Sequence, residues 1–179
     1  MAEDTQAKAS RTGTIVVIGV TGAGKSTVMA ALADRLRWTT AEADDFHSPA
    51  NVEKMRSGHP LTDADRWPWL EAIAAWIGQR EQAGESAIVT CSALRRTYRD
   101  LLRAGHPSVW FAQLVAPPAA IEDRVARRRG HYMPPALLSS QLETLEPLAP
   151  DEPGAAIPVG RPVPEIVSDI LAQLRRTRP

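Results

Sequence analysis

A single cysteine, Cys91, excludes an internal disulfide, and no histidine or cysteine pair has the spacing of a zinc site. His59 and His106 stand beside the turn-forming Gly58 and Gly105 and read as surface or structural residues. No apolar stretch approaches the roughly 20 residues that span a bilayer. Neither sign of charge is in excess: Lys plus Arg equals Asp plus Glu at 21 each, so nothing in the overall field calls for nucleic acid or an anionic membrane. Residues 1–13 are polar with no apolar centre, which predicts a loose tail rather than a signal peptide and, with the lone thiol, a cytoplasmic protein. No internal repeat is visible. The five tryptophans are spread over three elements and read as packing residues rather than as platforms for bases.

What is present is an alternation. At 179 residues the chain fits one compact domain, expected over 14–179. Thr14 to Ile18 is β-branched throughout and reads as a buried strand, and Lys25 to Leu36 has helical spacing. Further strands are expected at 38–43, 86–90, 109–115 and 155–159. Helices are expected near 52–56 and over 65–80, 94–103, 118–129, 135–146 and 164–176. Such alternation predicts an α/β fold with a parallel sheet covered on both faces and ligands at the strands' carboxyl ends.

Between the first strand and helix lies "GVTGAGKST", which fits G-x-x-x-x-G-K-[ST]. Bare backbone there lets successive N–H groups converge on phosphate oxygens at a helix's positive end. The candidate nucleotide contacts are Gly19, Val20, Thr21, Gly22, Ala23, Gly24, Lys25, Ser26 and Thr27. Lys25 would reach the β- and γ-phosphates, Ser26 would give an oxygen to Mg²⁺, and Thr27 would lie near the α-phosphate.

A switch GTPase needs a guanine-reading N-K-x-D segment, which is absent. A small kinase needs an acceptor pocket, a carboxylate to take the hydroxyl proton, and cations over the moving phosphoryl group. The stretch "EADDFH" offers Glu42, Asp44 and Asp45 at the end of the second strand, either to position Mg²⁺ water or accept a proton, or as an acidic cap. Arg124 and Arg128 lie one helical turn apart, as phosphate cations or as favourable charge at a helix C-terminus. Arg96, Arg99 and Arg103 recur at helical spacing around Asp100, the pattern of a solvated face.

Three motifs in order, "DDFHSPANVEKMRSGHPLTDADRWPWL", "CSALRRTYRDLLR" and "RRRGHYMPPALLSSQLETLE", resemble the P-loop gluconokinases, relatives of the shikimate and nucleoside monophosphate kinases. The resemblance implies a five-stranded parallel sheet with a substrate cap near 44–66 and a lid near 127–137. It also implies a homodimer that transfers phosphate from ATP to the terminal hydroxyl of D-gluconate. By position it makes Asp44 the first choice for general base, with Asp45 in reserve, and Arg128 or Arg124 the lid cation. Where the family has D-G-D this chain has Glu42 and Ala43, so the first carboxylate sits on a longer arm as a candidate Mg²⁺ ligand.

Gluconate carries a carboxylate and a row of hydroxyls, so its site needs a cation and small polar groups. Within the matching segments these are His47, Lys54, Arg66, Ser92, Arg95 and His131, with Arg66 equally able to cap Asp63 or Asp65. Shikimate kinases carry a glycine run where this chain has "TCSALRR". Gly130 is a candidate hinge, and His131 with Tyr132 a candidate water shield. The competing expectations are another small-molecule kinase of this superfamily and a non-catalytic nucleotide-binding module.

Overall fold

Strands β1 (Thr14–Ile18), β2 (Thr39–Glu42), β3 (Ala87–Cys91), β4 (Val109–Val115) and β5 (Gly154–Pro158) form one sheet in the order β2-β3-β1-β4-β5. Every neighbouring pair is parallel, as the alternation requires. Between them run α1 (Lys25–Leu36), α2 (Pro49–Arg56), α3 (Asp63–Gln82), α4 (Arg96–Arg103), α5 (Pro118–Arg127), α6 (Pro135–Thr144) and α7 (Val163–Thr177). This computed structural model describes residues 12–128 and 134–177, so the expected tail lies almost wholly outside the described residues.

The centre of the sheet explains the sequence of β1. Ile15 and Val17 pack into one apolar cluster with Val28 and Leu32 of α1 and Ile166 and Ile170 of α7. Val16 and Ile18 pack into a second with Leu70 and Ile73 of α3 and Tyr98 and Leu102 of α4. A central strand with helices on both faces has no wet side, so alternate positions are equally apolar. The one polar residue, Thr14, is buried with its hydroxyl against that of Ser108.

Local chemistry moves several boundaries. The helix expected at 65–80 begins at Asp63 because Thr62 and Asp65 form a reciprocal capping box. The helix expected near 52–56 begins at Pro49, with Ser48 as its N-cap accepting from the Asn51 N–H. The second strand is shorter than expected, Ala43 opening a single 3₁₀ turn, Ala43–Phe46.

The reading of Arg96, Arg99 and Arg103 as one solvated face is overturned at Arg99, which is 1 % exposed. Its guanidinium grips Glu152 at 2.6 and 2.9 Å and also donates to the carbonyls of Ala93, Leu94, Glu146 and Pro147. Burial alone would raise the Glu152 carboxyl, but Arg99 and the Ala149 N–H outweigh it and hold it below its ordinary value. Ala93 has φ +36°, a conformation that a Cβ disfavours, and its carbonyl is among those Arg99 holds. The pair therefore fastens the turn after β3 to the segment that leads into β5.

Removing one partner leaves the other charge buried and unpaired, so Glu152→Ala is expected to cost about 3–5 kcal/mol of stability. Urea unfolding followed by circular dichroism checks this. Arg99→Met with Glu152→Leu should recover part of the loss, because no orphan charge remains.

Candidate active site

Parallel register brings the site together. Ile18 lies opposite Cys91, and Glu42 opposite Thr90, so β1, β2 and β3 end at one edge of the sheet. The glycine loop, the Glu42–His47 turn and the Ser92–Leu94 turn all leave from that edge. They enclose a cavity of about 650 Å³ together with parts of α2, α3, α5 and α6.

On its phosphate side, Gly22 and Gly24 adopt left-handed φ of +84° and +97°. Gly22 also has no room for a side chain: a Cβ there would come within 2.7 Å of Val125 Cγ2 on α5. The Lys25 ammonium donates to the carbonyls of Gly19 and Val20, both at 3.0 Å, and so folds back along its own loop. The residue as a whole keeps some exposure, but burial of the ammonium lowers its pKa to about 8, against the opposing pull of the Asp44, Cys91 and Glu42 side chains. Arg128, at the C-terminus of α5, lines the same cavity.

The acidic side is ordered by β3. Thr90 accepts from the Ala43 N–H at 3.3 Å and donates to Glu42 Oε2, which fixes the Glu42 carboxylate. Asp44 and Asp45 lie on the 3₁₀ turn and line the cavity. Trp69 holds that turn from below by donating to the Ala43 carbonyl at 2.7 Å. His47 stacks on Trp69 with centroids 4.2 Å apart, and burial, partly offset by Asp44, lowers its pKa. Arg66 donates to the Tyr98 hydroxyl at 2.8 Å and lies 3.9 Å from Asp63, so its guanidinium is braced toward the cavity it lines.

Of the residues selected from the sequence, Thr21, Gly22, Gly24, Lys25, Ser26, Glu42, Asp44, His47, Arg66, Ser92 and Arg128 share this cavity. Gly19, Val20, Ala23, Thr27 and Arg124 are not on its wall. Lys54 and Arg95 are also off the wall and engaged elsewhere. The Lys54 ammonium meets Asp65 at 2.6 Å, and Arg95 lies 3.5 Å from Asp63. The Lys54 and Thr62 contacts hold the Asp65 carboxyl at about 2, well under its ordinary value. His131, Gly130 and Tyr132 fall outside the described residues.

Sequence reasoning missed Thr90, Tyr98, Trp69 and Gln141. Gln141 accepts from the Thr21 N–H at 2.7 Å and donates to the Thr21 hydroxyl at 3.2 Å, across 120 residues of chain. No local spacing signals such a contact.

Among the described residues no cluster of three His, Cys, Asp or Glu side chains is arranged to hold a metal. The Ser26 hydroxyl and the Glu42 carboxylate, which both line the cavity, would instead offer the sparse oxygen set that suits Mg²⁺, an ion that keeps waters and shares its sphere with phosphates.

A glycine loop between a parallel strand and a helix, with its lysine beside an acidic turn and a basic second wall, defines a P-loop phosphotransferase. The AAA domain family matches residues 15–148. The gluconokinase of Gluconobacter oxydans is 46% identical over 157 residues, covering 88% of each chain. Among solved structures, a sugar kinase from Janibacter superposes with a TM-score of 0.87 at 49% identity, covering 92% of this chain and 95% of that one. A gluconokinase from Sinorhizobium meliloti superposes at 0.83 with 44% identity and 92% coverage of both. The chain belongs to the gluconokinase family.

A triphosphate beside Lys25 would raise its pKa again, so nucleotide binding at about pH 9 is expected to take up a proton. Affinity is then complete below the free-state value of about 8 and falls as pH rises through it toward the bound-state value. Titration calorimetry in two buffers of different ionisation enthalpy measures the uptake, which Lys25→Met should abolish.

Proposed function

We propose that this chain uses ATP to phosphorylate D-gluconate on its terminal hydroxyl, giving 6-phosphogluconate. The observation that carries the reading is one cavity in which the lysine of a phosphate loop faces an acidic turn, with a braced arginine on the adjoining wall. Kinship with gluconokinases over most of the chain supplies the acceptor.

In this mechanism the amides of Gly22 to Ser26 bind the phosphates, and Lys25 leaves its carbonyl partners to neutralise the transferring group. Arg128, with Arg124 behind it on the same helix, adds positive charge from the other side. Ser26 and Glu42 would hold Mg²⁺, which would supply charge neutralisation at the phosphate oxygens. Asp44 accepts the proton of the acceptor hydroxyl, and Arg66 binds the carboxylate at the other end of gluconate, a planar fork meeting a planar anion. His47 and Ser92 supply polar contacts between those ends. Because phosphoryl transfer gains mostly from placement and charge neutralisation, the cations outweigh the base.

The same reading takes the enzyme as a magnesium-dependent cytoplasmic homodimer. No helix among the described residues is long and apolar enough to cross a membrane.

ADP release across a panel of gluconate, shikimate and nucleoside monophosphates tests the acceptor. Turnover with gluconate and formation of 6-phosphogluconate are expected, and turnover with a different panel member alone would replace the reading. Asp44→Asn should lower kcat by about a hundredfold with ATP binding little changed. Arg66→Ala should raise the KM for gluconate by about 10- to 100-fold, the worth of a charge-assisted pair, with the KM for ATP nearly constant.

A further inference from the structure

The bond between Gln141 and Thr21 is not required by anything in the mechanism above, yet it touches the apex of the loop on which that mechanism depends. Gln141 sits in the last half of α6, on the far side of residues 128–134 from α5. Its side-chain amide meets one residue twice, accepting from the Thr21 N–H at 2.7 Å and donating to the Thr21 hydroxyl at 3.2 Å. Two such contacts set the orientation of the amide and immobilise both the Thr21 peptide and its side chain.

On the other side, the next residue, Gly22, is packed so closely on Val125 and Ile121 of α5 that no Cβ fits. The loop apex is therefore held between α5 and α6, by hydrogen bonds from α6 and by packing from α5. The Thr21 N–H finds its acceptor in the protein itself, so the turn into the left-handed Gly22 needs no phosphate oxygen to complete it. A loop already ordered does not charge its ordering entropy against the ligand.

We propose that Gln141 is a positioning residue for the triphosphate. It sets the Thr21 peptide before nucleotide arrives and so ties α6 to the phosphate loop. The inference rests on the glycine loop being the ATP site, and not on the identity of the acceptor.

Both atoms of Thr21 lie in a partly open cavity, where water can replace the amide of Gln141. Loss of the side chain should therefore loosen the loop and spare the fold. The test is titration of Gln141→Ala, Thr21→Val and the double variant with ATP and Mg²⁺ by calorimetry, without acceptor, alongside steady-state kinetics.

Gln141→Ala is expected to weaken ATP by about tenfold, with kcat at saturating ATP within about threefold and the KM for gluconate within about twofold of wild type. Its thermal midpoint should stay within about 2 °C. Thr21→Val keeps the N–H and loses only the hydroxyl, so it should weaken ATP less, and the double variant should bind no worse than Gln141→Ala. ATP affinity within about twofold of wild type in Gln141→Ala would overturn the proposal, as would equal losses for both substrates with a lowered midpoint. Failure of wild type to phosphorylate gluconate would refute the acceptor while leaving this titration readable.

Discussion

The Lys25 ammonium, bonded to the carbonyls of Gly19 and Val20, joins the end of β1 to the start of α1 and places a poorly solvated cation at the mouth of the sheet. Around it the neighbouring features have steric or electrostatic reasons. Glycine is needed where the chain turns left-handed, and an acidic turn offsets part of the cost of burying the charge. Amides on the same loop complete a surface to which polyphosphate is the complementary ligand. The site is thus organised around positive charge in a restricted volume, with the acidic turn and Arg66 lining the same cavity.

That arrangement depends on parallel register. With Ile18, Cys91 and the Glu42–Thr90 pair at one level, three loops from distant parts of the chain emerge together. Their conformations are then held from behind. Thr90 orients Glu42, Trp69 supports the acidic turn, and Tyr98 braces Arg66. The contact of Lys54 with Asp65 and that of Asn51 with the Asp65 carbonyl fasten α2 to the start of α3, so this part of the cavity lining has a defined seat.

A second layer of support lies beneath the turn after β3. Arg99 and Glu152 are buried together, and Gln113 of β4 donates to the Glu146 carbonyl while accepting from the Leu148 N–H. These polar contacts fasten the otherwise irregular stretch between α6 and β5, whose backbone groups would be costly to bury without partners. Through that stretch α6 is anchored at one end to the sheet, and through Gln141 it reaches the glycine loop.

The sequence by itself determined the elements whose physics is local. The glycine loop is legible because φ preference and phosphate chemistry act within nine consecutive residues, and the parallel α/β sheet because two-sided burial leaves an unbroken apolar strand. The acidic turn was legible in the same way, whereas Arg66 and Arg128 were singled out by the resemblance to the family. Tertiary structure alone decided which charged groups were free to meet a ligand. Arg66 and Arg95 both reach Asp63, yet only Arg66 lines the cavity; Lys54 is engaged by Asp65 off its wall, and Arg99, on a helix that reads as a wet face, is sealed against Glu152. Gln141 lies 120 positions from Thr21 in the sequence and meets it only through the tertiary fold. Such partnerships depend on distances between elements, set by packing across the whole domain, and a linear pattern of residue types does not contain them.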